Sequence, residues 1–378
     1  MNIGHYMPGI WDRGGVGAYL LRVGRAQRAS GHKVTFLDSL DRYAEVGDPG
    51  ERPVVVEPRA LGARAKALGL DVLHLHAGVP EPPAGGPRVV RTVHDHRPYC
   101  PSGGRYLKRT DTPCDRAYSA FGCFWGHVVD RCGSVRPAKM VENFTATWDD
   151  QRVLAAVPSI AISRFVKEQM IRSGYDGGRI HVVTNPAPPV RPYDPPPRTG
   201  SPRFVFIGRL VVHKGLQWLL RALARAGQAI ALDVAGEGPY RAELEQLTDR
   251  LGLSDVATFH GWVDEAGVDR LVANARGVVF PAVWHEPAGL AALDGSARGR
   301  AVIGSRCGGL PEYAIEGQNA LLVDPNDDLG LADALTRLAD DWELAARLGA
   351  AGHALAAETF SLERHLAELE RVYRGDER

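Results

Sequence analysis

At 378 residues the chain exceeds what one hydrophobic core usually supports, so two domains are expected. Lys+Arg and Asp+Glu are equal at 45 each, so net charge gives no reason to expect a nucleic-acid partner. The start, MNIGHYMPGI, lacks the basic and long apolar regions of a secretory signal, and no apolar run approaches the roughly 20 residues of a spanning helix. A cytosolic protein with reduced cysteines is the expectation. A mildly basic front half and acidic rear half leave open an anionic acceptor or a membrane surface on the front half, although scattered surpluses of this size are more often solvated surface.

In chain order, the sequence predicts a strand near residues 2–5, a turn from Pro8 to Gly15, a helix over about 16–30 closed by Gly31, and a strand at 34–37. Strand, glycine turn and helix open a βαβ unit, and Gly14 and Gly15 let a ligand approach the backbone because no Cβ intervenes. An apolar run at 54–56, a helix over 58–68 and a strand at 71–76 follow, then a strand at 88–93 leading into His94, Asp95 and His96. A histidine at a strand end is placed to meet a ligand, and its neutral ring both donates and accepts hydrogen bonds. His74 and His76 read equally well as core histidines satisfied by backbone.

Residues 97–133 hold Cys100, Cys114, Cys123 and Cys132 in a loop without clear periodicity. A loop this long is uncommon unless functional or cross-linked. Four thiolates could close a structural zinc site, yet the spacings are long and no CxxC pair occurs. Unligated thiols and disulfides are the alternatives. A helix over 137–156, a strand at 159–163, a helix over 164–173 and a strand at 180–184 come next. Residues 186–203 are rich in proline and poor in apolar side chains, a stiff linker that puts the domain boundary near Val190.

Past the linker, a buried strand at 204–208 ends at Arg209, and Lys214 precedes a helix starting near Leu216. These are two fixed positive charges where a diphosphate would lie. Strands at 230–235 and 257–260 flank a GEGP turn at 236–239 and a helix reaching Leu251. Residues 278–280 read as the end of a buried parallel strand, followed by a loop with His285 and Glu286 and a helix marked by Leu290, Leu293 and Ala297. The amides of Ala288, Gly289 and Leu290 fall at that helix N-terminus, which attracts an anion. Glu286 suits hydroxyls instead, and Asp294 lies a little over two helical turns on. Two carboxylates beside an anion pocket fit a sugar nucleotide. A strand at 321–324, one long amphipathic helix over 329–349 and a final helix from Ser361 to Tyr373 close the chain.

HEPAGLAALD resembles the acidic signature of the retaining family 4 glycosyltransferases, with Glu286 at its first position and Asp294 where a second Glu is usual. The Asp shortens that reach by a methylene. GRLVVHKG is similar to the family's diphosphate motif, with Arg209 and Lys214 as the matching cations. RGGVGAYL resembles its glycine loop at Gly15, TVHD its recurrent histidine at His94, and HDHRPYCPSGG the start of a cysteine-bearing insert.

The resemblance implies an α/β protein of GT-B type, two Rossmann-like domains facing across a cleft. Residues 1–190, with the insert at 97–133, would form the acceptor side. Residues 191–355 would bind the nucleotide sugar, and 356–378 would cross back to the first domain through Leu362, Leu366, Leu369 and Tyr373. The implied activity is retaining transfer of a hexose from a nucleotide diphosphate sugar, UDP in preference to GDP, to an acceptor hydroxyl in glycan, glycolipid or glycosylated metabolite biosynthesis. Glu286 and His94 would orient the sugar, Asp294 would meet the ribose, and Arg209, Lys214 and the amides of Gly289 and Leu290 would hold the phosphates, with no metal required for catalysis. A cytoplasmic protein, or one peripheral at the inner membrane face, is implied. The alternatives are a phosphorylase-like enzyme of the same fold and a non-catalytic nucleotide-sugar-binding protein in which Asp294 marks a decayed site.

Overall fold

The computed structural model describes residues 1–10, 14–40, 51–227 and 230–376. The chain opens with β1 (Asn2–Tyr6), α1 (Gly15–Ala29), β2 (Lys33–Asp38), β3 (Val54–Val55), α2 (Leu61–Ala67), β4 (Val72–Leu75) and β5 (Arg88–Val93). The insert folds as a hairpin, β6 (Tyr106–Leu107) and β7 (Thr112–Pro113), and a helix, α3 (Ala120–Val128). The first half ends with α4 (Pro137–Leu154), β8 (Ser159–Ala161), α5 (Arg164–Arg172) and β9 (Ile180–Val182). After the proline-rich stretch come β10 (Arg203–Ile207), α6 (Leu216–Ala226), β11 (Ala231–Ala235), α7 (Arg241–Arg250), β12 (Ala257–Gly261) and α8 (Glu265–Ala273). β13 (Gly277–Phe280), α9 (Leu290–Ala297), β14 (Ala301–Ser305), β15 (Ala320–Val323), α10 (Asp328–Asp340), α11 (Trp342–Glu358) and α12 (Leu362–Arg374) complete it.

The elements form two compact units. The first comprises Met1–Gly103, Arg116–Thr184 and Leu362–Arg378; the second comprises Gly104–Asp115 and Asn185–Ser361. In the first, seven strands run in the order β3-β2-β1-β4-β5-β8-β9, parallel throughout. A parallel sheet is covered on both faces, so its strands are apolar almost without interruption. Tyr19, Leu20 and Val23 of α1 pack with Ile3, Phe36 and Val72 on one face, where Leu369, Val372 and Tyr373 of α12 join them. The apolar stripe of the last helix thus finds its partner in the first unit. Leu61, Ala65, Leu73, Leu75 and Leu154 fill the other face.

In the second unit six parallel strands run β12-β11-β10-β13-β14-β15. The order reverses between β10 and β13, the crevice where open α/β sheets bind ligands at their carboxyl ends. Leu216, Leu219, Leu220 and Leu223 of α6 and Leu331, Leu335 and Leu338 of α10 share one buried core.

Three sequence expectations change. The helix over 329–349 is two helices, because Asp341 adopts φ −104, ψ 92 and its carboxylate accepts from the Leu344 amide at 2.8 Å, starting α11 afresh. The insert is not a featureless loop: Tyr106 packs with Ala282, Val283 and Trp284, and Trp218 Nε1 donates to Asp111 at 2.7 Å. These partners lie about a hundred residues or more away in sequence, so no local periodicity reveals them. Finally, α8, capped by the Asp264 carboxylate, occupies a stretch passed over above. No helix among the described residues is long and apolar enough to cross a membrane.

Candidate functional site

In the second unit, the loops after β10 and β13 meet because those strands are neighbours at the reversal of strand order. Lys214 Nζ donates to Glu286 Oε1 at 2.5 Å, and Trp284 Nε1 donates to the same oxygen at 2.7 Å. The ammonium also sits 5.1 Å from the centre of the Trp284 ring, a cation over an aromatic face. Both charged side chains are largely buried, at 23% and 17% exposed, so their attraction is screened less than a surface pair's. Arg209 stands exposed at the end of β10, and among the described residues its guanidinium has no hydrogen-bond or salt-bridge partner. Of these two cations, Lys214 is paired with a carboxylate and Arg209 stands exposed.

Backbone geometry explains why the motif needs its glycines. Gly215 caps α6 at φ +77, and a Cβ there would stand 1.7 Å from the Pro281 carbonyl oxygen, so no side chain fits. Gly308, at φ +65, lies so close beneath Glu286 that a Cβ would come within 2.4 Å of its carbonyl oxygen; that carbonyl accepts from the Gly309 amide at 2.6 Å. The two contacts set the loop that presents the Glu286 carboxylate. Ala288 is buried, Gly289 is the N-cap of α9 and Leu290 its first residue, and no side chain caps that helix start. Its first-turn amides point where an anion would be held.

Asp294 is placed differently from a lone ribose ligand. Arg298, one turn on in α9, donates to its carboxylate at 3.1 Å and to Asp269 at 2.7 Å. Sequence reasoning also passed over His213, Trp284 and Cys307. Burial, then Lys214, Arg209 and Lys108, push the His213 imidazole down to about 4, so it is neutral at physiological pH, 4.8 Å from the Trp284 ring. Burial first, then Glu286, raise the Cys307 thiol to about 12, and it donates to the Trp284 carbonyl at 3.0 Å. Cys307 is an inert brace for the loop rather than a nucleophile. His285 Nε2 lies 2.9 Å from Asp115 of the insert hairpin.

In the first unit, Gly15 begins α1 directly after Gly14; residues 11–13, the rest of the glycine loop, lie outside the described residues. His94, at the end of β5, lines a cavity of about 230 Å³ with Met7, Asp95, Arg97 and Asp150. Its Nε2 is 2.9 Å from His76 Nδ1, His76 Nε2 is 3.0 Å from His5 Nδ1, and His5 Nε2 is 2.8 Å from Gln27 Oε1. His74 bonds the Tyr373 hydroxyl and Thr92 Oγ1, each at 2.7 Å. Burial holds His5 down at about 4 and drives His74 and His76 well below the ordinary imidazole range. Ligand atoms of His5, His74 and His76 lie within 4.8 Å of one another, but every ring nitrogen of the three already has a side-chain partner. The group is a closed hydrogen-bond network, held by side chains and not by the backbone expected for core histidines.

The cysteines are free thiols, which removes the disulfide alternative. Cys100 Sγ is 3.2 Å from Ser102 Oγ and Cys132 Sγ is 3.6 Å from His127 Nδ1, while Cys114 follows the hairpin into the second unit. Among the described residues Cys100, Cys114, Cys123 and Cys132 belong to no group of three or more ligating side chains. As placed, they do not offer a four-thiolate zinc set.

Residues 194–354 match the family model described as Glycosyl transferases group 1. The chain is 38% identical to the lipopolysaccharide core biosynthesis glycosyltransferase LpsD of Rhizobium meliloti (strain 1021) over 194 residues, 48% of this chain and 53% of LpsD. It spans about half the length of the first curated relatives it matches. Sucrose-phosphate synthase from Thermosynechococcus elongatus shares the fold with a TM-score of 0.75 at 19% identity, over 99% of this chain and 98% of that one. Anabaena HepE in complex with UDP and glucose gives 0.71 at 17% identity, over 99% and 100%. Residues 194–354 thus resemble the glycosyl transferases group 1 family, and the two parallel-sheet units have the GT-B fold.

Proposed function

We propose that the protein is a retaining glycosyltransferase that moves a hexose from a nucleoside diphosphate sugar, UDP in preference to GDP, to an acceptor hydroxyl. The observation that carries this reading is the Lys214–Glu286 pair beside exposed Arg209 and the uncapped start of α9, at the reversal of strand order. Cations and amides suit a pyrophosphate, and the carboxylate suits sugar hydroxyls. The UDP and glucose bound by HepE support UDP as the nucleotide. LpsD, named for lipopolysaccharide core biosynthesis, supports a role in glycan or glycolipid assembly.

The chemistry follows from charge. Breaking the bond between anomeric carbon and phosphate oxygen develops positive charge on the carbon and negative charge on the diphosphate. Arg209, Lys214 and the amides of Gly289 and Leu290 stabilise the latter from fixed positions, the largest contribution such a site makes. Glu286 and, in the first unit, His94 orient the sugar. The acceptor oxygen bonds the anomeric carbon on the face the diphosphate leaves, and the acceptor's proton passes to the departing phosphate oxygen. Configuration is thereby retained without a covalent intermediate. Asp294, shared with Arg298, would reach the ribose hydroxyls.

The acceptor side is read as meeting a membrane surface. Phe121, Phe124, Trp125 and Val128 of α3 form one helical stripe, 79%, 48%, 52% and 51% exposed, and Arg131, Arg136 and Lys139 are exposed close by in sequence. An aromatic stripe flanked by cations suits an anionic lipid interface.

The test is a thermal-shift comparison of UDP-glucose and GDP-mannose followed by product analysis. The UDP sugar should raise the melting temperature, since a ligand of the folded form stabilises it, and UDP should be released as an α-linked product forms. Turnover only of a glycoside with inorganic phosphate would make the protein phosphorylase-like. Binding without transfer or donor hydrolysis over a broad acceptor panel would make it a non-catalytic binder, and either result refutes the proposal.

A further inference from the structure

The buried histidines of the first unit form a chain with a direction. Gln27 Nε2 faces the Tyr373 hydroxyl at 3.4 Å, which turns Oε1, an acceptor only, toward His5 Nε2 at 2.8 Å. His5 must then carry its proton on Nε2 and accept at Nδ1. Its neighbour, His76 Nε2, 3.0 Å away, is therefore the donor, which leaves His76 Nδ1 as an acceptor. The nitrogen facing that acceptor is His94 Nε2, at 2.9 Å. Each neutral ring has one proton, so each bond dictates the next.

We propose that Gln27, His5 and His76 are positioning residues that hold His94 in a single tautomer, its proton on Nε2, so that Nδ1 is offered as an acceptor to a hydroxyl of the donor sugar. The last clause rests on the reading that His94 meets that sugar; the tautomer itself does not. Burial disfavours the imidazolium form along the whole chain, so the rings relay orientation and not charge. Two further contacts steady the outer ring. Tyr19 lies edge-on to His94 with centroids 5.2 Å apart, and its hydroxyl bonds His365 Nε2 at 2.9 Å. His365 Nδ1 is anchored on the Thr184 carbonyl at 2.8 Å, so His365 donates there and accepts from Tyr19. A donor ring at His94 would present a proton to the sugar. The relay instead selects a sugar hydroxyl that can donate.

The experiment is two-bond proton–nitrogen correlation on the full chain labelled with ¹⁵N-histidine, His94 being assigned from a His94→Gln spectrum. The expected result is an unprotonated-type Nδ1 and a protonated-type Nε2 at His94, with the same pattern at His5 and His76. The opposite pattern, or a mixture of tautomers at His94, would overturn the proposal. Gln27→Leu removes the acceptor that sets the direction, so His94 should become a mixture. With UDP-glucose as the probe, kcat/KM should fall roughly tenfold, the loss of about one hydrogen bond. Thr92→Val, which strips only a partner from His74, should leave the His94 tautomer as it is. If Gln27→Leu lowers kcat/KM while the His94 nitrogen shifts stay unchanged, Gln27 is merely structural and the relay is refuted. If UDP-glucose is not a substrate, the donor reading fails, whereas the wild-type spectrum still decides the relay.

Discussion

Acidification should destabilise the first unit well above the pH at which carboxylates titrate. His5 and His365 are buried with their imidazoles held at about 4, against 6.5 for an exposed ring, and His74 and His76 are displaced in the same direction. Among the described residues no carboxylate is bonded to the rings; their partners are Gln27, Tyr19, Tyr373, Thr92, His94, one another and the Thr184 carbonyl, and the nearby charges, Arg22 and Arg28, lower the imidazoles further. The sign is fixed by linkage. Below 6.5 the unfolded chain takes up protons that the folded rings refuse, so stability is complete above 6.5 and is lost as pH falls toward 4. At about 1.4 kcal/mol per pH unit for each such group, His5 and His365 each remove about 2 kcal/mol by about pH 5, some 4 kcal/mol together. Domains have only about 5–15 kcal/mol to lose. A melting scan in matched buffers should show Tm falling by about 10 °C or more between about pH 7.5 and pH 5. A His5→Gln variant, with one titrating ring fewer, should lose about 2 kcal/mol less over that interval. A Tm that stays within about 2 °C across the range, or a His5→Gln slope equal to the wild type's, would refute buried neutral histidines.

Three substitutions probe the second unit. Lys214→Ala removes the cation that partners Glu286 and that the proposed function sets against the leaving diphosphate; donor kcat/KM should fall about 100-fold or more, and a loss under about threefold in initial-rate assays would count against the electrostatic account. Gly215→Ala must place a Cβ 1.7 Å from the Pro281 carbonyl at φ +77, so the loop shifts, with a cost above about 2 kcal/mol in urea unfolding and weakened UDP binding by calorimetry. Asp341→Ala deletes the cap that starts α11 and should cost about 1 kcal/mol in the same unfolding assay while donor kinetics stay unchanged.

The candidate site was legible wherever chemistry is local. Arg209, Lys214, Glu286 and the start of α9 stand at strand ends, and strand ends are visible because both sheets are parallel and buried, so β10 and β13 run as apolar segments stopped by Gly, Pro or charge. Even the Asp341 break was readable from a carboxylate three residues before Leu344, had the stripe of leucines not suggested one continuous helix. The grip of Arg298 on Asp294 is likewise one helical turn, yet a charged pair on a helix looks like ordinary surface until the fold shows what surrounds it.

What the amino-acid order determined by itself is the alternation of strand and helix and the residue types at the loop tips, because both depend on neighbours within a turn or two of chain. The tertiary structure alone decided which of those tips meet. It joined Lys214 to Glu286 across 72 residues, set the insert's Asp111 against Trp218 across 107, and lined up His5, His76 and His94 from three different strand ends. Such contacts are set by sheet order and side-chain packing, which no run of sequence contains: a histidine in an apolar strand reads the same whether it ends alone in the core or as one link of a hydrogen-bonded chain.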